Sequence, residues 1–243
     1  MMKPPRIATS MPARQFVIGS VAALLATVGL LSAPSPAFAS CNPGRAVFAV
    51  TNMAGTSVSP STTPTGIMSN IDEYSPYVSV NSVSTAWVML DRDGTWYAQV
   101  GWWRRYISPG VFKRVAFSQY YLPGLGMVTR EGTTHAVGTS TAYKVTYDTG
   151  TQIMRMYDGT TVLDSATTTA VPNNDQVFGE TKNHDDQMPG GTGAHVKFLY
   201  TYEQHSPSIT WYTVNTPAQT VAPYGASHPS AGRYDIWDTG CSS

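Results

Sequence analysis

The sequence predicts an all-β fold, an antiparallel two-sheet β-sandwich that is jelly-roll-like. Short segments that alternate apolar and polar residues recur along the chain, as strands with one buried face do. Charged residues make up only 12% of the 243 residues, and 21 glycines and 17 prolines supply frequent turns. No segment of useful length shows a helical period. These features together are typical of a sandwich.

The alternating segments predict the strands in chain order. They cover residues 77–90, 95–103, 111–121, 142–147, 152–157, 176–180, 196–204, 209–214 and 233–237. Asp93-Gly94 and Asp158-Gly159 predict tight hairpin turns, because such turns require residues that tolerate positive φ.

The chain is expected to begin with a signal peptide over residues 1–39. Three basic residues, all before position 15, precede an apolar run over 16–31, and Ala37-Phe38-Ala39 forms a small-x-small cleavage signal. No later run approaches the ~20 apolar residues that a membrane span needs. The protein is therefore predicted to be secreted and extracellular, without an integral membrane segment.

Two regions are predicted to follow the leader. Residues 40–70, rich in Ser, Thr, Pro and Gly, are expected to be an irregular lead-in, and residues 71–243 form the sandwich domain. Loss of the three basic leader residues takes the 15 basic residues to 12 against 15 acidic ones, a net charge of about −3. That balance does not fit a nucleic-acid partner.

Two cysteines remain after the leader, Cys41 and Cys241. In an oxidising compartment such a pair is expected to form a disulfide, here between the two ends of the domain. The alternative is a lipid anchor at Cys41, since Phe38-Ala39-Ser40-Cys41 loosely resembles a lipobox.

Glu180 is the first candidate for a catalytic residue. The chain has only four glutamates, and this one ends a predicted buried strand and precedes a polar, glycine-closed loop over residues 181–191. Within 96–103, period-two alternation places Gln99 among aromatic side chains and beside Gly101. A glycine inside a strand often marks the close approach of a ligand or of another backbone. Gln99 and Glu180 would face each other if their strands share a sheet.

These segments resemble the neprosin family. The resemblance rests on Ala98-Gln99-Val100-Gly101-Trp102, on Phe178-Gly179-Glu180-Thr181-Lys182-Asn183, and on Gln187-Met188-Pro189-Gly190-Gly191, with Tyr234-Asp235-Ile236 near the end. It implies a secreted β-sandwich peptidase of the glutamic type, and in the best-known case cleavage after proline. The position that matches the family's first catalytic Glu carries Gln99 here. A second group of glutamic peptidases, the eqolisins, resembles this arrangement in pairing a Gln with a Glu.

The predicted function is therefore peptide-bond hydrolysis at acidic pH by a Gln99/Glu180 dyad. Glu180 would act as general base and Gln99 as hydrogen-bond donor to the developing oxyanion. The predicted substrate-binding residues are Tyr97, Gly101, Trp103, Phe178, Asn183 and Gln187. The alternative is a noncatalytic sandwich module that binds carbohydrate or peptide on the same aromatic face. The partner is a polypeptide or a glycan, the protein is expected to be a monomer, and no cofactor is expected.

Two further clusters of ionisable residues are interpreted mainly as structural features. His184, Asp185 and Asp186 lack the spacing of known metal motifs, so no metal site is predicted. Arg104, Arg105, Lys113 and Arg114 are expected to form a solvated edge. If the neighbouring face binds substrate, their charges would select acidic residues in that substrate.

Overall fold

Two sheets packed face to face confirm the predicted β-sandwich. The computed structural model describes residues 47–53 (backbone only), 63–93, 95–182, 186–219 and 224–240. Within these ranges all regular secondary structure is β, and no helix is long and apolar enough to cross a bilayer. The predicted signal peptide, Cys41, Cys241 and Asn183 lie outside the described residues.

The first sheet has six antiparallel strands in the order β1-β10-β3-β4-β5-β6. Their bounds are Val47–Met53 (β1), Val83–Arg92 (β3), Trp96–Ser108 (β4), Val111–Leu122 (β5), Gly126–Glu131 (β6) and Asn174–Thr181 (β10). The strand that carries Glu180 and the strand that carries Gln99 therefore flank the same central strand, β3.

The second sheet has nine strands, in the order β14-β15-β11-β12-β2-β7-β8-β9 with β13 paired to β12. Their bounds are Thr63–Asp72 (β2), Ser140–Asp148 (β7), Ile153–Asp158 (β8), Thr161–Thr167 (β9), Gly190–Gly191 (β11), Ala194–Ser206 (β12), Trp211–Thr213 (β13), Tyr224–Ser230 (β14) and Arg233–Asp238 (β15). All pairings are antiparallel except one parallel bridge between Gly191 and Asp238.

The main hydrophobic core lies between the two sheets. The first sheet contributes alternate residues of its central strands, and the second contributes mainly β2, β7, β8 and β12. Its largest fully buried side chains include Trp96, Trp102, Tyr143, Tyr234 and Phe198. Burying aromatic rings of this size supplies a large share of the hydrophobic free energy of folding.

Both predicted hairpin turns lie where the sequence places them. Asp93 has a φ of 40° between β3 and β4, and Gly159 has a φ of 62° between β8 and β9. These are left-handed conformations, which Asp tolerates and Gly adopts without steric cost.

Strand β1 and most of β2 lie within residues 40–70, where the sequence predicts an irregular lead-in. Strand β2 is central in its sheet, paired with β12 and β7, although it contains Pro64 and Gly66, which normally indicate a turn. Gly66 has a specific packing reason: a Cβ there would lie 2.7 Å from the Trp211 ring. Packing therefore overrides the local turn signal.

The first part of the segment predicted as a strand over 77–90 is a loop up to Ser82. Side chains, and not a sheet ladder, satisfy its backbone. The Tyr77 amide donates to Gln187 Oε1 at 2.9 Å, and the Ser79 amide donates to Asp186 Oδ1 at 2.7 Å. Strands β6 and β9, which the sequence did not predict, extend the two sheets as hairpin partners of β5 and β8.

Candidate active site

Side chains of β4 alternate between the core and the outer face of the first sheet, which is the face turned away from the second sheet. The core-facing residues are Trp96, Ala98, Val100 and Trp102, and each is at most 1% exposed. The outward-facing residues are Tyr97, Gln99, Gly101 and Trp103. The strand therefore places Gln99 on the face opposite the core, in line with the period-two alternation of the sequence.

Gln99 and Glu180 both lie on the outer face. Glu180 pairs with Thr85 of β3, and Thr85 pairs on its other side with Trp103. Gln99 pairs with Met89 of the same strand. Because paired residues project to the same face and Thr85 and Met89 have the same parity, both side chains point outward. Two strand spacings and four residues separate their Cα atoms, which is about 16 Å on a flat sheet.

Gln99 is held by a second glutamine, Gln119 of β5, which sequence reasoning missed. Gln99 Nε2 donates to Gln119 Oε1 at 2.9 Å, and the Tyr97 hydroxyl donates to the same oxygen at 3.1 Å. Gln119 Nε2 in turn donates to Thr129 Oγ1 at 3.1 Å. The network fixes the Gln99 amide with its nitrogen toward β5. No feature of the sequence marks Gln119, because its position opposite Gln99 is set by the β4–β5 pairing.

Glu180 is half-buried and accepts a hydrogen bond from Trp87 Nε1 at 3.2 Å. Trp87 lies two residues nearer than Thr85 to Met89, the β3 residue that pairs with Gln99. Burial raises the pKa of Tyr97, and the negative charge of Glu180 raises it further. The Glu180 carboxylate at one end of the face therefore acts electrostatically on Tyr97 at the other.

An aromatic cluster forms the floor between these two ends. Trp87 and Phe178 have ring centroids 4.5 Å apart, and Trp103 stacks on Phe117 at 4.4 Å with an interplanar angle of 3°. Trp87, Phe117 and Phe178 are all at most 6% exposed. The Trp103 Nε1 donor is buried and has no partner among the described residues. The predicted aromatic residues Trp103 and Phe178 thus belong to one floor.

Gly101 is explained by the neighbouring strand. A Cβ at this position would lie 2.0 Å from the Ala86 carbonyl oxygen and 2.6 Å from Trp87 Cα. Real Cβ atoms do not approach backbone so closely. Of the two reasons expected for a strand glycine, the approach of another backbone accounts for this one.

A cavity of about 830 Å³ opens on the outer face between the end of β10 and strand β6. Its lining is Asn81, Ser82, Val83, Trp103, Arg105, Tyr106, Gln119, Met127, Thr129, Glu131 and Lys182. Lys182 follows Glu180 by two residues, and Gln119 holds Gln99. Neither Gln99 nor Glu180 lines the cavity itself, but a neighbour of each does, and the cavity is large enough for several residues of an extended peptide.

Gln187 lies apart from the cavity lining. Its Nε2 lies 3.4 Å from both the Tyr74 hydroxyl and the Gly190 carbonyl oxygen, and its Oε1 accepts from the Tyr77 amide. Ser84, which points into the core from β3, donates to the Gln187 carbonyl at 2.7 Å. These contacts tie Gln187 to the loop before β3, to β3 itself and to Gly190.

The other three glutamates have structural partners. Glu73 is buried and pairs with Arg114 and with the Tyr143 hydroxyl. Glu131 pairs with Arg105 and Lys113 at the rim of the cavity. Glu203 lies in the core, 3.0 Å from His205 Nε2. Glu131 shares the outer face with Glu180 but pairs with two cations, whereas Glu180 accepts a hydrogen bond from the Trp87 indole of the aromatic floor.

The predicted basic cluster is divided between two faces by strand alternation. Arg105 and Lys113 lie on the outer face, paired with each other across β4 and β5. Arg104 and Arg114 point to the other side, where Arg104 donates to the Pro76 carbonyl. Within the described part of the chain, no group of three or more His, Cys, Asp or Glu residues is arranged to hold a metal ion.

Solved structures with a similar fold are glutamic peptidases. Scytalido-glutamic peptidase, bound to a peptide-based transition-state analog, superposes with a TM-score of 0.56 at 14% identity, over 82% of this chain and 100% of that one. SCP-B, a member of the Eqolisin family in complex with the tripeptide Ala-Ile-His, gives a TM-score of 0.54 at 12% identity over the same shares. No protein-family model matches the chain, and a comparison with curated proteins finds no match. At these identities the likeness establishes the fold.

Proposed function

We propose that this protein is a secreted, neprosin-like peptidase that hydrolyses peptide bonds at acidic pH, with cleavage after proline as the first specificity to test. The observation that carries the proposal is the position of Glu180. It lies on the outer face of a fold similar to that of glutamic peptidases, bonded to Trp87 of the aromatic floor and two residues before Lys182, which lines a cavity of about 830 Å³. The structural neighbours were bound to a peptide-based analog and to a tripeptide, which supports a peptide as the ligand.

Glu180 acts as the general base in this proposal. Its carboxylate takes a proton from a water molecule as the water oxygen attacks the carbonyl carbon of the substrate, and a tetrahedral intermediate forms. The same carboxyl then gives the proton to the leaving amine as the C–N bond breaks. The Trp87 indole, which donates to Glu180 Oε2, holds the carboxylate toward the centre of the face.

Gln99 supplies the hydrogen bond to the oxyanion. Its amide nitrogen is an adequate donor, and one such donor is typically worth about 3 to 4 kcal/mol of activation free energy. In the unbound protein this nitrogen donates to Gln119, so the substrate oxygen replaces Gln119 Oε1 as acceptor. An amide does not titrate, and all proton transfer therefore passes through one carboxyl group. This is the basis for expecting activity that depends on a single acidic group.

The test compares wild type with Glu180→Gln on a denatured, proline-containing protein from about pH 3 to about pH 7. Loss of the general base should lower the rate by about a hundredfold or more. Gln99→Ala should lower kcat by a similar factor, since it removes the oxyanion donor. Asp148→Asn is the matched control, because it removes an exposed carboxylate at the end of β7 in the second sheet. Cleavage that persists in Glu180→Gln would refute the dyad.

A second candidate function is a noncatalytic peptide- or carbohydrate-binding module. The Gln99–Gln119–Tyr97 network favours it, because the Gln99 amide nitrogen and the Tyr97 hydroxyl already donate to Gln119 without a ligand. If neither wild type nor Glu180→Gln cleaves any substrate, while both bind peptides or oligosaccharides in a way that Trp103→Ala abolishes, the binding module is the correct function.

A further inference from the structure

The cavity on the outer face has a positively charged end. Of its lining side chains only Lys182, Arg105 and Glu131 are charged, two of them positive. Lys113 stands next to them, paired with Arg105 in register. Lys182, which directly follows β10, lies in one row with Val83 of β3, Arg105 of β4 and Lys113 of β5, since the Lys182 amide donates to the Val83 carbonyl and Val83 pairs with Arg105.

The cationic side chains of this row are held in place but remain accessible. Arg105 donates two hydrogen bonds to Glu131 Oε1, at 3.0 and 2.7 Å, and its guanidinium lies 5.4 Å from the centre of the Trp103 ring. Lys113 Nζ binds the other Glu131 oxygen at 2.5 Å. The Arg105 and Lys113 side chains are still 40% and 47% exposed. Two cations share one carboxylate there, so a positive charge remains on that side of the cavity. On the other side lies the exposed Lys182, whose ammonium donates to the Asn81 carbonyl at 3.3 Å.

We propose that this row is a subsite for a substrate carboxylate, with Lys182 and Arg105 as its specificity-determining residues. The inference rests on the proposed peptidase function. The row lies one pair of residues beyond the Glu180 row along β3, or about 7 Å. An extended peptide repeats its side-chain direction at that same interval, about 7 Å for two residues. A carboxylate two residues from the bond placed at Glu180 therefore reaches Lys182 and Arg105.

Two sources supply such a carboxylate: an Asp or Glu side chain, or the free C-terminus of a peptide that ends two residues beyond the bond. Either carboxylate carries one negative charge and accepts hydrogen bonds from the ammonium and guanidinium groups of the row. The subsite therefore predicts a preference for acidic segments or for cleavage close to a C-terminus, and the two cases are separated by blocking the C-terminus as an amide.

The experiment measures peptide binding and cleavage separately. Fluorescently labelled peptides are titrated into Glu180→Gln by anisotropy, and their unlabelled forms are offered to wild type. One peptide carries an internal Glu and an amidated end, a second carries Gln and a free end, and a third carries Gln and an amidated end. The Glu or the free end should bind about three- to tenfold more tightly than the neutral peptide, and this preference should weaken in high salt.

Lys182→Gln and Arg105→Gln should remove most of this preference, whereas Arg105→Lys, which keeps the charge, should retain part of it. Lys144→Gln is the matched control, because Lys144 lies on β7 in the second sheet with its ammonium over Tyr157. Equal binding of all three peptides, or a preference that survives both neutral variants, would overturn the subsite. Cleavage without a carboxylate preference refutes the subsite alone. Carboxylate-dependent binding without cleavage refutes the peptidase and leaves the subsite in place.

Discussion

Substitution of Gly101 by alanine should destabilise the protein because β3 runs too close to β4 for a side chain at this position. The added Cβ would lie 2.0 Å from the Ala86 carbonyl oxygen and 2.6 Å from Trp87 Cα, both backbone atoms that cannot rotate away. To bring the added Cβ to an ordinary contact distance from the Ala86 carbonyl oxygen, β3 and β4 would have to move apart by more than about one ångström, which the hydrogen bonds between the two strands oppose. Overpacking of this kind typically costs about 1 to 3 kcal/mol, and contact with backbone places Gly101→Ala at about 3 kcal/mol.

The loss should appear as a lower Tm and a lower urea midpoint. For a domain of about 200 residues, about 3 kcal/mol corresponds to a Tm lower by about 6 to 12 °C, with an unchanged m-value. Gly132→Ala is the control, since its Cβ would meet only the movable ends of Leu163 and Asp158 at 3.1 to 3.2 Å, and it should cost much less. If Gly101→Ala keeps the wild-type Tm but loses peptide binding, Gly101 serves the ligand and the strand-packing explanation is wrong.

Two further predictions concern buried carboxyl groups. Burial, reinforced by the neighbouring Glu203 carboxylate, raises the pKa of Asp175 well above the usual 3.8. The contribution of Asp175 to the free energy of unfolding is therefore fully present below pH 3.8 and is lost as the pH rises through the folded-state pKa. Asp175→Asn should flatten the rise in stability that acid produces in urea titrations, and an unchanged slope would contradict this. Tyr143→Phe removes a 2.7 Å hydrogen bond to Glu73 and should lower the free energy of unfolding by about 2 kcal/mol, and an unaltered urea midpoint would show that this bond contributes nothing.

Period-two alternation accounts for the parts of the site that could be predicted from sequence. It placed Gln99 and Trp103 on the outer side of β4 and Glu180 on one side of β10, because each assignment needs only the local strand. Strand β2 was missed for the opposite reason, since Pro64 and Gly66 carry a local turn signal that long-range pairing overrides.

Other features depend on register and on packing between sheets. Gln119 holds Gln99 only because the β4–β5 pairing sets the two residues opposite each other. Asp175 and Glu203 come together from different sheets across the core, and neither has a local sequence feature that marks it. The separation of Gln99 from Glu180 likewise follows from the strand order, with β3 between them, which alternation within single strands does not determine.

The central claim is that Glu180 and Gln99 act on the same peptide carbonyl, although about 16 Å separates their Cα atoms on a flat sheet. A crystal structure with a peptide analogue that carries a tetrahedral carbon in place of the cleaved carbonyl tests it most directly. We predict one oxygen of that carbon within about 3 Å of the Glu180 carboxylate, and the other accepting a hydrogen bond from Gln99 Nε2 in place of Gln119. An analogue bound elsewhere, or bound on the outer face with Gln99 still donating to Gln119, would contradict the dyad.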